Sequence, residues 1–231
     1  MKPDAAVNSR AFSLVEMLVV MTIIGIVVAI TVPAFTGMGK AQALTGAGNN
    51  LLDQFALARQ TAVAQNRSVE MRFYKRLEHP AQPEASANPR RFRSFRTLAY
   101  EEPVRDSAGK MVSVPIALAT MQELPTGIVI SEEQTFSTLI HDKYAVTPPR
   151  ALLKENLSDI EKDVPYQVVR FKPTGGTDLG VNGTPDGDKW FLTIKADNDP
   201  KVGSGTGARP ANNYFTVMLD PVSGRARAFR P

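Results

Sequence analysis

The polarity pattern changes character twice along the chain. Met17 to Gly39 is a run of 23 residues without a charge, MLVVMTIIGIVVAITVPAFTGMG, closed by Glu16 before it and Lys40 after it. As a helix the run would measure ~35 Å at ~1.5 Å per residue, against a bilayer hydrocarbon core of ~30 Å. Gly37 to Asn50, GMGKAQALTGAGNN, is small and polar and predicts a break. Past it, Leu51, Leu52, Phe55, Ala58, Ala62 and Val63 recur at helical spacing while Arg59 and Gln60 fall outside the stripe. This predicts an amphipathic helical section capped by Asn50 and packed on a sheet.

After Arg67 the period becomes strand-like. SVEMRFYKR reads as a first strand, and the Pro-rich HPAQPEASANPRR behind it as an exposed loop. Further strands are expected in RFRSFRTLAYEE, around MVSVPIALAT and LPTGIVI, and in YQVVRFKPTG, KWFLTIKAD, NYFTVMLD and GRARAFR. Trp190, Leu192 and Ile194 share one strand face, as do Phe215, Val217 and Leu219, which fits a sheet with one side against a helix. Val146 to Asp163 predicts a short helix, amphipathic through Leu152, Leu153 and Leu157.

Composition narrows the chemistry more than the fold. With 43% apolar and 22% charged residues the chain is of ordinary globular composition, and its net charge of +4 does not mark a nucleic-acid binder. There is no cysteine, hence no disulfide, no thiolate nucleophile and no Cys-ligated metal. His79 and His141 are the only histidines and stand in different segments, which leaves a zinc site or a Ser-His-Asp triad little to build on. Gly203 to Pro210, GSGTGARP, lacks the GK[ST] ending of a phosphate loop and reads as a hairpin tip. No enzyme is expected, and no cofactor.

The apolar run has three readings: a secretory signal, a plain anchor, or a helix that enters a membrane and later packs among identical neighbours. It is too long for the first and no small-x-small site closes it. A plain anchor gives no reason for Glu16, an expensive carboxylate inside an apolar block that opens at Phe12. The segment Ala11-Phe12-Ser13-Leu14-Val15-Glu16-Met17-Leu18-Val19-Val20 resembles the signal of type IV prepilins and type II secretion pseudopilins. In that family a short basic leader is removed before a Phe whose new amino group is methylated. With Phe12 as the first mature residue, Glu16 falls fifth, Gly25 fourteenth and Pro33 twenty-second, where pilins carry the same residues; before the cut stands Ala11 in place of the usual Gly.

The resemblance implies an α+β, type IV pilin-like fold: a long N-terminal α-helix packed on a C-terminal antiparallel β-sheet head. It divides the chain into a leader (1–11), a transmembrane and filament-core helix (12–36), the amphipathic second half of the helix (37–66) and a periplasmic β-rich head (67–231). It implies prepilin peptidase and other pilins or pseudopilins as partners, and a single pass through the inner membrane. Cleavage between Ala11 and Phe12 would leave a cationic amine for Glu16 of a neighbour to neutralise, since buried charges must pair. Gly25 and Pro33 would let the helix bend.

Leu52 or Phe55 through Ala62, then LPTG, FKPTGGT and DPVSGRAR, resemble in order the landmarks of the GspH and FimT minor pilins; a Verru_Chthon cassette pilin-like protein carries the same signal. Gly224-Arg225-Ala226-Arg227 resembles the GRxR motif through which FimT-type pilins engage DNA, and makes Arg225 and Arg227 candidate DNA contacts, with a solvated hairpin as the simpler reading. Arg91 and Arg93, in the arginine and phenylalanine run Arg90 to Arg96, join them as candidates, although strand faces of mixed character also fit an exposed edge guarded by charge. Asp186, Asp188, Asp197 and Asp199 flank KWFLTIKA and are weak calcium candidates, with solvated turns as the simpler reading.

Overall fold

The computed structural model describes residues 13–100, 104–105, 109, 111–112, 115–141, 153–155, 163–180, 189–199, 201–202, 209–210 and 213–230, with the backbone alone at 31–38 and in five two- or three-residue strands. The chain divides into two compact units, Met1–Gln42 and Ala43–Pro231. One helix, α1 (Leu14–Ala64), contributes to both. The break expected between Gly37 and Asn50 is absent and Asn50 lies inside the helix. Ala41, Gln42, Ala43 and Leu44 are strong helix formers, and Leu44 and Ala47 are already buried, which offsets the ~1 kcal/mol that each glycine costs.

The second unit adds fourteen strands, β1 (Val69–Arg76), β2 (Arg91–Tyr100), β3 (Val104–Arg105), β4 (Met111–Val112), β5 (Pro115–Ala117), β6 (Gln122–Glu123), β7 (Ile128–Ile130), β8 (Leu153–Glu155), β9 (Val164–Phe171), β10 (Trp190–Ala196), β11 (Lys201–Val202), β12 (Arg209–Pro210), β13 (Tyr214–Leu219) and β14 (Ala226–Phe229). Ten form one antiparallel sheet in the order β14-β13-β10-β7-β2-β1-β9-β8, with β5 and β6 also on β2. The pairs β3-β4 and β11-β12 stand apart, and the latter supplies the arms of the hairpin expected around Gly203 to Pro210. The short helix expected at Val146–Asp163 is corrected in part: Leu153–Glu155 is a strand on β9, where an open ladder satisfies its backbone, and most of the remainder lies outside the described residues.

The helix buries Leu44, Ala47, Leu51, Phe55, Ala58 and Ala62 in one core with Met71, Phe73, Phe171, Trp190, Leu192 and Phe215 among others. Phe55 is central, with ring centroids 6.0 Å from Phe73 and 6.2 Å from Phe171. Val63, expected in the stripe, is exposed, because it sits one residue round the helix from Ala62. Gly48 faces the sheet so closely that a Cβ there would lie 2.5 Å from Cδ1 of Phe215.

Strand β2 is interior, paired with β1 on one side and with β5, β6 and β7 along the other, so the reading of an exposed, charge-guarded edge is corrected. Its faces are corrected too. Strict alternation puts Phe92 and Phe95 on opposite faces, yet both are buried in the core. Tyr74 pairs with Ser94 and Lys75 with Phe92, so Arg93 is an extra residue, a bulge that resets the phase. In the 79–88 insertion Asn88 is buried: it accepts from His79 N–H and donates to the His79 and Gln82 carbonyls.

The opposite face of the sheet carries an ion network that the sequence did not announce. Glu70, 3% exposed, accepts from Arg170 (2.6 and 3.2 Å), from Arg72 Nε (3.1 Å) and from the Tyr100 hydroxyl (2.9 Å). Burial, then the Glu70 charge, push the Tyr100 phenol up from its usual range. Glu70→Gln keeps the shape but leaves two arginines without their anion, and should lower unfolding stability by about 3–5 kcal/mol. Gly48→Ala should also destabilise, since the ~1 kcal/mol gained in helix propensity is outweighed by about 1–3 kcal/mol of overpacking against Phe215. Urea titration checks both; unchanged midpoints would contradict the packing described.

Candidate functional site

Two regions carry the residues singled out from the sequence. The first is the start of α1. Ser13 caps it: Glu16 N–H donates to Ser13 Oγ at 3.2 Å and Met17 N–H to the Ser13 carbonyl at 3.2 Å. Ser13-Leu14-Val15-Glu16 has the Ser-x-x-Glu spacing of a capping box and puts the carboxylate in the first turn, where the helix dipole favours an anion. Glu16 thus has a local use that the sequence reading left out.

From Leu14 to Ile30 the helix is exposed on every side, apolar at nearly every position; Leu14 is 82% and Ile30 71% exposed. Gly25 has open space around it. Pro33 lies within α1, its side chain outside the described residues, as are Ala11 and Phe12 altogether. Among the described residues no helix is long and apolar enough to cross a membrane. The charge-free run continues through 31–38, whose side chains are not described.

The second region is the C-terminal hairpin within the second unit. Asp220 organises its turn, accepting from Val222 N–H at 3.0 Å and from the Ser223 hydroxyl at 2.6 Å. The Ser223 hydroxyl and the backbone donors hold the Asp220 carboxyl below its usual range. Gly224 has φ +64°, and a Cβ there would collide with the Gly175 carbonyl; one on Gly176 would lie 2.5 Å from the Val222 carbonyl. Thr177 N–H and Oγ1 both donate to the Pro221 carbonyl, at 2.9 and 3.0 Å. Arg59 of α1 donates its Nε to the Ser223 carbonyl at 2.7 Å. The FKPTGGT and DPVSGRAR landmarks are therefore one interlocked pair of turns bolted to the helix.

The turn presents Arg225, Arg227 and Arg230 exposed. Among the described residues the Arg225 and Arg227 guanidiniums make no hydrogen bond, and Arg230 lies 5.8 Å over the Phe215 ring. A cleft of about 410 Å³ separates this segment from Leu52, Ala56 and Arg59 of α1.

The remaining candidates are brought together differently. Arg91 Nε meets Asp197 Oδ1 at 3.2 Å, joining a DNA candidate to a calcium candidate in one ion pair. Arg93 is buried and meets Glu78 at 3.2 Å, and that hydrogen bond, with one from Gly127 N–H, holds Glu78 below the usual carboxylate range. Arg93 therefore offers no guanidinium free for phosphate, while Arg91 keeps a half-exposed side chain in its pair. The Asp199 carbonyl accepts from Lys195 Nζ at 3.1 Å; Asp186 and Asp188 lie outside the described residues. Among the described residues no group of three His, Cys, Asp or Glu is placed to hold a metal ion.

Residues 7–32 match the family model of the prokaryotic N-terminal methylation motif, a segment that takes in Ala11, Phe12, Glu16 and Gly25 and stops one residue short of Pro33. The chain carries the type IV prepilin-like signal, which supports a type IV pilin-like protein. It matches no curated protein and no solved structure.

Gly224→Ala should cost about 1–3 kcal/mol for its left-handed backbone alone, with the collision at Gly175 added, and lower the melting temperature by several degrees. An unchanged melting curve would contradict the interlock. Glu78 and Asp220 both have carboxyls depressed in the folded state, so each contributes stability above the unfolded carboxylate pKa of about 4, lost as pH falls through the folded value. Stability measured between pH 6 and pH 2 should fall more steeply for the parent than for Glu78→Gln; parallel curves would contradict this.

Proposed function

We infer that the chain is a non-enzymatic structural subunit, a minor pilin or pseudopilin of a type IV pilus or type II secretion pseudopilus assembled from the inner membrane. The observation that carries this reading is the joint register of Phe12, Glu16 and Gly25 within the matched segment 7–32, followed by a helix whose apolar side chains face outward all round. A helix apolar on all sides requires an apolar surround, either lipid or identical neighbours. The 23-residue run supplies the length for lipid. Lys2 and Arg10 ahead of it favour a cytoplasmic leader and thus a periplasmic head.

Prepilin peptidase hydrolyses the Ala11–Phe12 bond in this reading, and the new Phe12 amine is methylated. The amine, at the positive end of a helix dipole, is unfavourable in an apolar medium until an anion meets it. Glu16 of the adjacent subunit supplies that anion and sets the axial stagger between helices, a registering role that buried ion pairs fill better than a stabilising one.

A second reading, a FimT-like minor pilin for DNA uptake, is favoured by the exposed Arg225 and Arg227, whose guanidiniums make no hydrogen bond among the described residues. It does not draw on Arg93, which is buried against Glu78. For this reading, duplex binding by the full chain should weaken with salt, and Arg225→Gln with Arg227→Gln should reduce the logarithmic slope by about two. A slope unmoved by both changes removes the motif.

Glu16→Ala should leave membrane insertion intact and abolish incorporation into sheared filaments. Measured by blotting membrane and filament fractions, incorporation at the parent level would overturn the assembly mechanism.

A further inference from the structure

Among the described residues β14 is the terminal strand of the ten-stranded sheet and pairs with β13 on one side only. Its register fixes which backbone groups are left over. Asp220 N–H donates to the Arg225 carbonyl at 3.0 Å, so Asp220 and Arg225 occupy a hydrogen-bonded position of the antiparallel ladder. Such positions alternate with non-bonded ones. Met218–Arg227 and Thr216–Phe229 are therefore bonded pairs, and the N–H and C=O groups of Ala226 and Ala228 point away from β13 toward the open edge.

The cleft of about 410 Å³ runs along that edge, with Leu52, Ala56 and Arg59 of α1 as its other wall. Two methyl side chains, Ala226 and Ala228, leave the edge backbone reachable. An open edge invites another strand, and proteins ordinarily guard it. Here the guard has one sign. Arg225, Arg227 and Arg230 are exposed along the segment, and Asp53 is the one acid lining the cleft. The two faces differ as well. Ala226 packs toward the core and Arg230 over Phe215, so Arg225 and Arg227 project from the opposite face.

We propose that the β14 edge is a strand-addition site for an extended, acidic segment of a protein partner. Its backbone pairs with Ala226 and Ala228, its acidic side chains meet Arg225 and Arg227 on one face, and alternate small apolar side chains meet Leu52 and Ala56 on the other. Main-chain pairing supplies affinity, and alternate side chains supply selectivity. The alternation of unpaired donors and acceptors favours a peptide over a nucleic acid, whose phosphates take donors only. The site is independent of the filament reading, because no residue of the N-terminal signal takes part in it.

The probe is a fluorescent octapeptide alternating aspartate and valine, titrated into the full chain in detergent micelles. It should bind, and methylating its alternate backbone nitrogens, which keeps the charge, should weaken binding about tenfold or more, the equivalent of one or two hydrogen bonds. Ala228→Pro should do the same without lowering the melting temperature, since it removes a donor that faces the open edge and no ladder bond. Arg225→Gln should weaken the unmethylated peptide. Equal binding of the methylated and unmethylated peptides would overturn the proposal, whether or not Ala228→Pro folds. Failure of the unmethylated peptide to bind while a duplex oligonucleotide does would overturn it in favour of a nucleic-acid surface.

Discussion

Burial of the Leu44–Ala62 stripe of α1 against one face of the antiparallel sheet is the contact on which the head depends. With no cysteine in the chain, no disulfide holds the C-terminal region, and apolar packing must do so. Each fully buried Leu or Phe contributes roughly 1.5–3 kcal/mol, and the stripe sets several of them against Phe73, Phe171 and Phe215. Small residues make the approach possible: Ala47, Gly48, Ala58 and Ala62 keep the helix low on the sheet, while Phe55 packs over Phe73 of β1 and Phe171 of β9.

That contact places everything downstream. Because α1 lies low, Arg59 reaches the Ser223 carbonyl, the 172–177 and 220–225 turns close on each other through Gly175, Gly176 and Gly224, and β14 leaves the turn beside the helix with its outer edge open. On the other face of the sheet the Glu70 network ties β1 to β2 and β9 by charge, beside the Tyr74–Tyr166 ring contact. One face is held by apolar contact with the helix, the other by this ion cluster together with a smaller apolar cluster of Tyr74, Val164 and Tyr166, and removing Glu70 leaves buried charge uncompensated.

Much of this was legible in the chain. Period-two runs located the long strands, and the buried sets Trp190, Leu192, Ile194 and Phe215, Val217, Leu219 were read from alternation alone. What failed did so for identifiable reasons. The helix runs through Gly37 to Asn50 because burial of Leu44 and Ala47 overrides local propensity. Alternation misplaced Phe92 and Phe95 because one bulged residue, Arg93, inverts every face beyond it, and a bulge leaves no composition signal. Short-range pattern could not assign Leu153–Glu155, whose strand character comes from its partner β9. The site was legible where a motif is local, as at Phe12 and Glu16, and illegible where function depends on pairing: Arg91 and Asp197 are 106 residues apart and meet.

The two ends of the chain thus meet different demands. The head is closed by its own packing, whereas the helix before it exposes Leu14 to Ile30 and offers its apolar surface to a surround that is not part of the chain. In the proposed function, cleavage before Phe12 would replace the leader ahead of this helix with a charged amine. Intact-mass and fragment spectra of the chain extracted from native membranes test this most directly. The expected result is a mature chain that begins at Phe12 and carries one additional methyl group on its amine. A chain that keeps residues 1–11 in the presence of an active prepilin peptidase would contradict it.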